Sequence, residues 1–177
     1  MAKSNPPYDP STDEHFMSRA LELARQGQGA VEPNPMVGCV LVRDGEIIGQ
    51  GYHRAFGGPH AEIEAIRSLA GRDAKGATAY VSLEPCCHHG KTPPCTDALI
   101  TAGVARVVVA MGDPYPRVSG AGMNQLRDAG IEVSAGVLEG EAMALCAPYL
   151  KRLRSGKPWV IAKWAMTMDG RIATVSG

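Results

Sequence analysis

The sequence predicts a three-layer α/β domain, with helices on both faces of one sheet. Two observations carry this. Short apolar runs of strand length alternate with stretches of helical apolar spacing, and the breaks between them fall on Gly, Pro and Asx residues. Strands interleaved with helices exclude a β-sandwich, which would need a run of strands alone. The 177 residues suit one domain of ordinary size with a short extension, and a hydrophobic content of 45% is enough for a sizeable core. Aromatics are only 5%, so that core must be built mainly from Val, Ile, Leu, Ala and Met.

The elements follow in order. Ser11 opens a capping box with Glu14, which predicts a helix to about Gln26, stopped by Gly27. Residues 27–35 read as a loop, and Pro33-Asn34-Pro35 as a rigid turn. Residues 36–43 form a buried strand, Asp44-Gly45 a hairpin turn, and residues 46–52 its partner. Ile63, Ile66 and Leu69 give residues 60–69 helical spacing, closed by Gly71. Residues 77–83 are a strand, 95–102 a helix closed by Gly103, and 104–111 a strongly apolar strand. A helix over 120–129, a strand over 131–137, a helix over 138–153 and a last strand over 158–165 complete the expectation. Neither an internal repeat nor a low-complexity tract interrupts it.

Charge and cysteine usage narrow the function. The 18 basic and 18 acidic residues cancel, whereas a non-specific nucleic-acid binder usually carries a basic excess. A nucleic-acid partner is therefore not expected, while a small anionic substrate, for which one or two local cations suffice, is compatible with this balance. The five cysteines (Cys39, Cys86, Cys87, Cys95 and Cys146) are odd in number and cluster near histidines, which argues against a disulfide framework. Residues 1–9 lack an apolar signal core, and no apolar run approaches the ~18 residues that span a membrane. The cytoplasm is the expected compartment, with no membrane partner.

The chemistry is concentrated in His60-Ala61-Glu62, Pro85-Cys86 and Pro93-Pro94-Cys95. One imidazole and two thiols are a donor set that zinc favours when a fourth position stays open for water, whose pKa the ion lowers. Glu62, two residues beyond the histidine, can take a proton from that water and deliver it to a ring nitrogen and then to a leaving amine. His60 and Glu62 fall in the first turn of one predicted helix and Cys95 at the start of another, where the helix dipole favours a thiolate. The pattern resembles the zinc-deaminase signature H-x-E followed by P-C-x-x-C, except that eight residues separate Cys86 from Cys95.

Plainer readings stand beside this one. A closed zinc site could recruit Cys87, His88 or His89 as fourth ligand, or the residues could be unconnected core and loop groups. Cys87 reads as packing, His88-His89 as loop residues, and Cys39 and Cys146 as small core hydrophobes. Asn34 offers an amide to a heterocycle edge or simply shapes the turn. Lys91 and Thr92 could meet a phosphate or lie in a solvated loop. His53 is a satisfied strand-end histidine or a substrate contact. Asp113 follows the apolar strand where open α/β sheets place ligands, or it caps.

Taken together, Asn34 to Val40, Gly51-Tyr52-His53, His60-Ala61-Glu62, Leu83 to Cys86, His89 to Cys95 and Asp113-Pro114 resemble the deaminase domain of the bifunctional riboflavin-biosynthesis deaminase/reductase family, over about residues 12–155. The long loop between the cysteines, ending Thr-Pro-Pro-Cys, is specific to that family. The resemblance implies a cytidine-deaminase-like α/β/α fold around a mixed sheet. It implies Zn2+ held by His60, Cys86 and Cys95, a proton shuttle at Glu62, and substrate contacts from Asn34, His53, Lys91, Thr92 and Asp113. The implied substrate is 2,5-diamino-6-ribosylamino-4(3H)-pyrimidinone 5′-phosphate, deaminated hydrolytically in a homo-oligomer. Alternatives are a zinc deaminase of another nucleobase or nucleoside, or a zinc-stabilised binding module without catalysis. Tyr115 departs from the family's Pro-Asn-Pro. Residues 1–155 then form the deaminase domain, and 156–177 a linker and the opening strand of a second, nicotinamide-dependent reductase domain. Reductase activity is not expected from so short a stretch.

Overall fold

The computed structural model describes residues 10–88 and 93–173. Among the described residues eleven elements follow one another: α1 (Pro10–Arg25), β1 (Gly38–Arg43), β2 (Glu46–Tyr52), α2 (Ala61–Arg67), β3 (Thr78–Leu83), α3 (Cys95–Ala102), β4 (Arg106–Met111), α4 (Ala121–Asp128), β5 (Glu132–Ala135), α5 (Glu139–Leu145) and α6 (Ala147–Ser155). The strands form one sheet in the order β2-β1-β3-β4-β5. β1 runs antiparallel to β2 and β3, while β3, β4 and β5 are parallel, so the sheet is mixed.

The two-residue side-chain alternation of a strand sorts the core into two halves. Cys39, Leu41, Val81, Val107 and Val109 point to one face, against Ala61 and Ala65 of α2, Leu99 of α3 and Leu126 of α4. Val40, Val42, Tyr80, Val108 and Ala110 point to the other, against Met17, Ala20 and Leu21 of α1, Ala142 of α5 and Leu150 of α6. These are the expected three layers. The Asp13 carboxylate, buried at the foot of α1, accepts from the Tyr80 hydroxyl at 2.8 Å and from both terminal nitrogens of Arg106 at 2.8 Å. That bidentate pair ties α1 to two neighbouring strands.

Local expectations hold where turn chemistry is explicit. Asp44 and Gly45 both take positive φ, 54° and 78°, as a two-residue hairpin demands. Gly103 closes α3 at φ 73°. Two expectations need correction. The helix expected over 138–153 is two helices, because Pro148 has no N–H for the helical ladder and its ring crowds the carbonyl four residues earlier. The chain therefore breaks at Cys146 and Pro148 enters the first turn of α6. Residues 158–165, expected as a strand, join no sheet. Their apolar side chains are exposed instead, Val160 at 75% and Trp164 at 70%, since β2 and β5 hold the sheet edges without them. Helix α1 begins at Pro10; the side chain of Ser11, and with it the capping box, lies outside the described residues.

Candidate active site

Three chain segments converge at one end of the sheet. His60 is the N-cap of α2 with extended backbone, φ −74° and ψ 164°, which places its ring ahead of the helix. Gly51 on β2 permits this seat: a Cβ there would collide with the backbone of α2 at Ala65. Cys86 lies three residues past β3, and Cys95 is the first residue of α3. The Thr96 N–H donates to the Cys86 carbonyl at 3.2 Å and the Cys95 N–H points at the Cys86 sulfur at 3.4 Å, which closes the long loop onto itself. His60 Nδ1 faces Cys95 Sγ at 3.2 Å and Cys86 Sγ at 3.5 Å. The three ligand atoms lie within 4.8 Å of one another, and among the described residues no further His, Cys, Asp or Glu joins them.

The electrostatics suit a cation. Hydrogen bonds to the Cys86 sulfur, from the Cys95 thiol first and then from His60, bring its pKa down to about 4. Cys95 moves up because it is the donor to Cys86, with burial adding to the shift. The pair thus holds one ready thiolate and one thiol whose proton a cation would displace. Glu62, in the first turn of α2, is 3% exposed, and burial pushes its carboxyl above the usual range. A buried carboxylate beside a cation site and next to open space is suited to carrying a proton.

These groups open onto a cavity of about 470 Å³ lined by Asn34, His53, His60, Glu62, Cys86 and Asp113 among others. The Pro59 carbonyl can only accept, so His53 Nδ1 carries the proton that meets it at 2.9 Å, and Nε2 accepts from Asn34 Nδ2 at 3.2 Å. Both ring nitrogens of His53 are therefore occupied, and burial pushes the ring towards its neutral form. That bond fixes the Asn34 amide and leaves its Oδ1 unused by His53. Asp113 accepts the Tyr115 N–H at 2.9 Å and the Tyr149 hydroxyl at 2.8 Å on one oxygen. Burial nevertheless raises its pKa. Lys91, Thr92 and His89 lie outside the described residues.

Cys87 turns its thiol towards the Arg117 carbonyl at 3.7 Å, away from the cluster. Cys39 and Cys146 are buried in opposite halves of the core. Sequence reasoning missed Glu84. Its buried carboxylate accepts four backbone N–H groups, from Asp113, Gly120, Gly122 and Met123, at 3.0–3.2 Å. It thereby fixes the loop after β4 and the start of α4 against the Pro85-Cys86 segment. Also missed were Tyr149 and Arg152, which line the cavity from α6; their i, i+3 spacing was the available signal.

Residues 10–111 match the family described as the cytidine and deoxycytidylate deaminase zinc-binding region. The riboflavin biosynthesis protein RibD of Escherichia coli K12 is 57% identical over 165 residues, 93% of this chain and 45% of that protein. The crystal structure of a diaminohydroxyphosphoribosylaminopyrimidine deaminase/5-amino-6-(5-phosphoribosylamino)uracil reductase from Thermotoga maritima superimposes with a TM-score of 0.87 at 50% identity, covering 96% of this chain and 49% of that one. Aspergillus oryzae Rib2 deaminase, solved with DARIPP, shares the fold at a TM-score of 0.65 and 21% identity, over 81% of this chain and 95% of its own. The chain spans about half the length of the curated relatives it matches.

Proposed function

We propose, for a chain that belongs to the cytidine and deoxycytidylate deaminase zinc-binding family, the hydrolytic deamination of 2,5-diamino-6-ribosylamino-4(3H)-pyrimidinone 5′-phosphate, with release of ammonia. The observation that carries the reading is the His60, Cys86 and Cys95 group with buried Glu62 beside it, opening onto the cavity through His60, Glu62 and Cys86. Likeness to the RibD proteins supports the substrate. The donor set fits zinc, since one imidazole and two thiols, one of them readily ionised, converge on a single point. His60, Cys86 and Cys95 would hold the ion, and zinc when bound would acidify a water and polarise it for attack.

The chain's own residues do the rest. Glu62 takes a proton from the attacking water, passes it to the ring nitrogen beside the carbon under attack, and conveys a second proton to the departing amine. The C–N bond breaks, a carbonyl replaces the amine, and ammonia leaves. Asn34, held by His53, meets the edge of the heterocycle, and Asp113, held by Tyr149, faces its amino groups. Lys91 and Thr92 are assigned to the phosphate end. Residues 1–155 are assigned as the deaminase domain and 156–177 as the linker and opening of a second domain. The close of α6 at Ser155, with Gly156 at φ 67°, supports that boundary.

The test is ammonia release by zinc-loaded protein from this compound and from unphosphorylated pyrimidines. Turnover of the phosphorylated substrate with by far the higher kcat/KM is expected. Equal or better turnover of a free nucleobase or nucleoside would overturn the substrate assignment, and no turnover of any of them the catalytic one.

A further inference from the structure

α6 contributes none of the residues so far assigned to metal or proton transfer, yet one of its faces forms a wall of the same cavity. Tyr149, Arg152 and Leu153 stand at i, i+3 and i+4, the spacing that puts three side chains on one helical stripe. The stripe is anchored, because the Tyr149 hydroxyl donates to Asp113 Oδ1 at 2.8 Å. Asp113 follows β4, and Cys86 follows the neighbouring parallel strand β3. Asp113 and Cys86 thus lie at the same end of the sheet, and Arg152 stands three residues along α6 from the tyrosine that holds Asp113.

Among the described residues lining the cavity, Arg152 is the single guanidinium or ammonium group, and its side chain makes no ion pair or hydrogen bond with any of them. The lining carboxylates are otherwise engaged: Glu84 by four backbone donors, Asp113 by Tyr149 and Tyr115, and Glu62 beside Cys95. A dianionic phosphate entering this cavity thus has one unpaired described cation to meet, of the kind that grips phosphate oxygens in a bidentate fork.

We propose that Arg152 binds the 5′-phosphate of the pyrimidine substrate and makes the deaminase selective for the phosphorylated compound. The proposal rests on the reading of the site given above and adds a specificity residue to it. The experiment compares wild type, Arg152→Gln, Arg152→Lys and, as a control on the same helix outside the cavity lining, Arg154→Gln. Each is assayed for ammonia release from the substrate with and without its 5′-phosphate. Arg152→Gln raises KM for the phosphorylated substrate about 10- to 100-fold with kcat little changed, as expected for loss of a charged hydrogen-bonding partner. It leaves the dephosphorylated compound unaffected, Arg152→Lys recovers part of the loss, and Arg154→Gln behaves as wild type. An unchanged KM in Arg152→Gln, or an equal loss on both substrates, would overturn the proposal while wild-type turnover kept the deaminase reading intact. Absence of ammonia release from wild type would sink that reading and the proposal with it.

Discussion

Glu62 is buried among His60, Cys95 and the cavity, and the proton-carrier role proposed for it depends on a carboxylate that can both accept and return a proton. Glu62→Gln keeps the shape and the metal ligands but not that capacity. It is expected to bind zinc as wild type does and to lose about 10²–10⁴ in turnover, read from ammonia release by metal-loaded protein. Wild-type-like turnover in the variant would remove the role. The two neighbouring cysteines separate ligation from packing. Cys86→Ser and Cys95→Ser are expected to lose bound zinc, whereas Cys87→Ser, whose sulfur faces the Arg117 carbonyl, keeps it; metal analysis of purified variants gives the answer. Asp113 supplies a pH prediction. Its folded pKa lies above the unfolded value, chiefly through burial, so the fold favours the protonated carboxyl. Stability from this residue is full below the unfolded pKa of ~3.9 and is lost as pH rises through the folded pKa. Asp113→Asn lacks that loss and keeps an oxygen for Tyr115 and Tyr149. Its Tm should therefore gain on wild type as pH rises from about 4 to 7. A difference that stays flat across that range would refute the burial argument.

At the scale of elements, Glu84 is the hinge between the sheet and the site. Its side chain satisfies four backbone donors around the loop after β4 and the start of α4, and Gly122 sits so close to the Pro85 carbonyl that a Cβ there would overlap it. Glu84→Ala leaves those donors without an acceptor, at about 1–3 kcal/mol for each one left buried. A loss of at least ~3 kcal/mol in urea melts is expected, together with weaker zinc binding, because the Pro85-Cys86 segment loses its support. A near-neutral melt would show that water or a neighbour replaces the carboxylate. Much at this scale was legible in the sequence, where local chemistry forces the outcome. Asp44-Gly45 could only be a tight hairpin, Gly103 only a helix stop, and His60, Glu62 and Cys86 fall at helix starts or strand ends that spacing alone locates. What escaped depended on distant partners. The α5–α6 break needed weight given to Pro148 over an apolar pattern that continues through it. Tyr149 meets Asp113 across 36 residues, and Glu84 meets donors 29 to 39 residues away, so no local pattern announces either. Residues 158–165 have the apolar content of a strand, but a strand exists only where an edge receives it.

Across the whole molecule, the same segment and the residue after it leave Val160, Ile161, Trp164 and Met166 exposed, an apolar stretch of the kind that marks an association surface. Concentration-dependent self-association of the 177-residue chain is expected in sedimentation velocity. It should be reduced in an Ile161→Ser, Trp164→Ser variant with deamination unchanged, and a wild type that sediments as one unchanging monomer would contradict this. None of the helices is long and apolar enough to cross a membrane among the described residues. A mixed sheet and the helices packed on it bring one imidazole and two thiols to a point beside the cavity, a donor set suited to a zinc ion that keeps one coordination position for water. X-ray absorption at the zinc edge of the loaded 177-residue chain is the sharpest test of that coordination. Two sulfurs at ~2.3 Å and two lighter donors at ~2.0–2.1 Å are expected, of which one alone gives imidazole scattering. Three sulfurs, or two imidazoles, would mean that Cys87 or a histidine closes the site, and would contradict it.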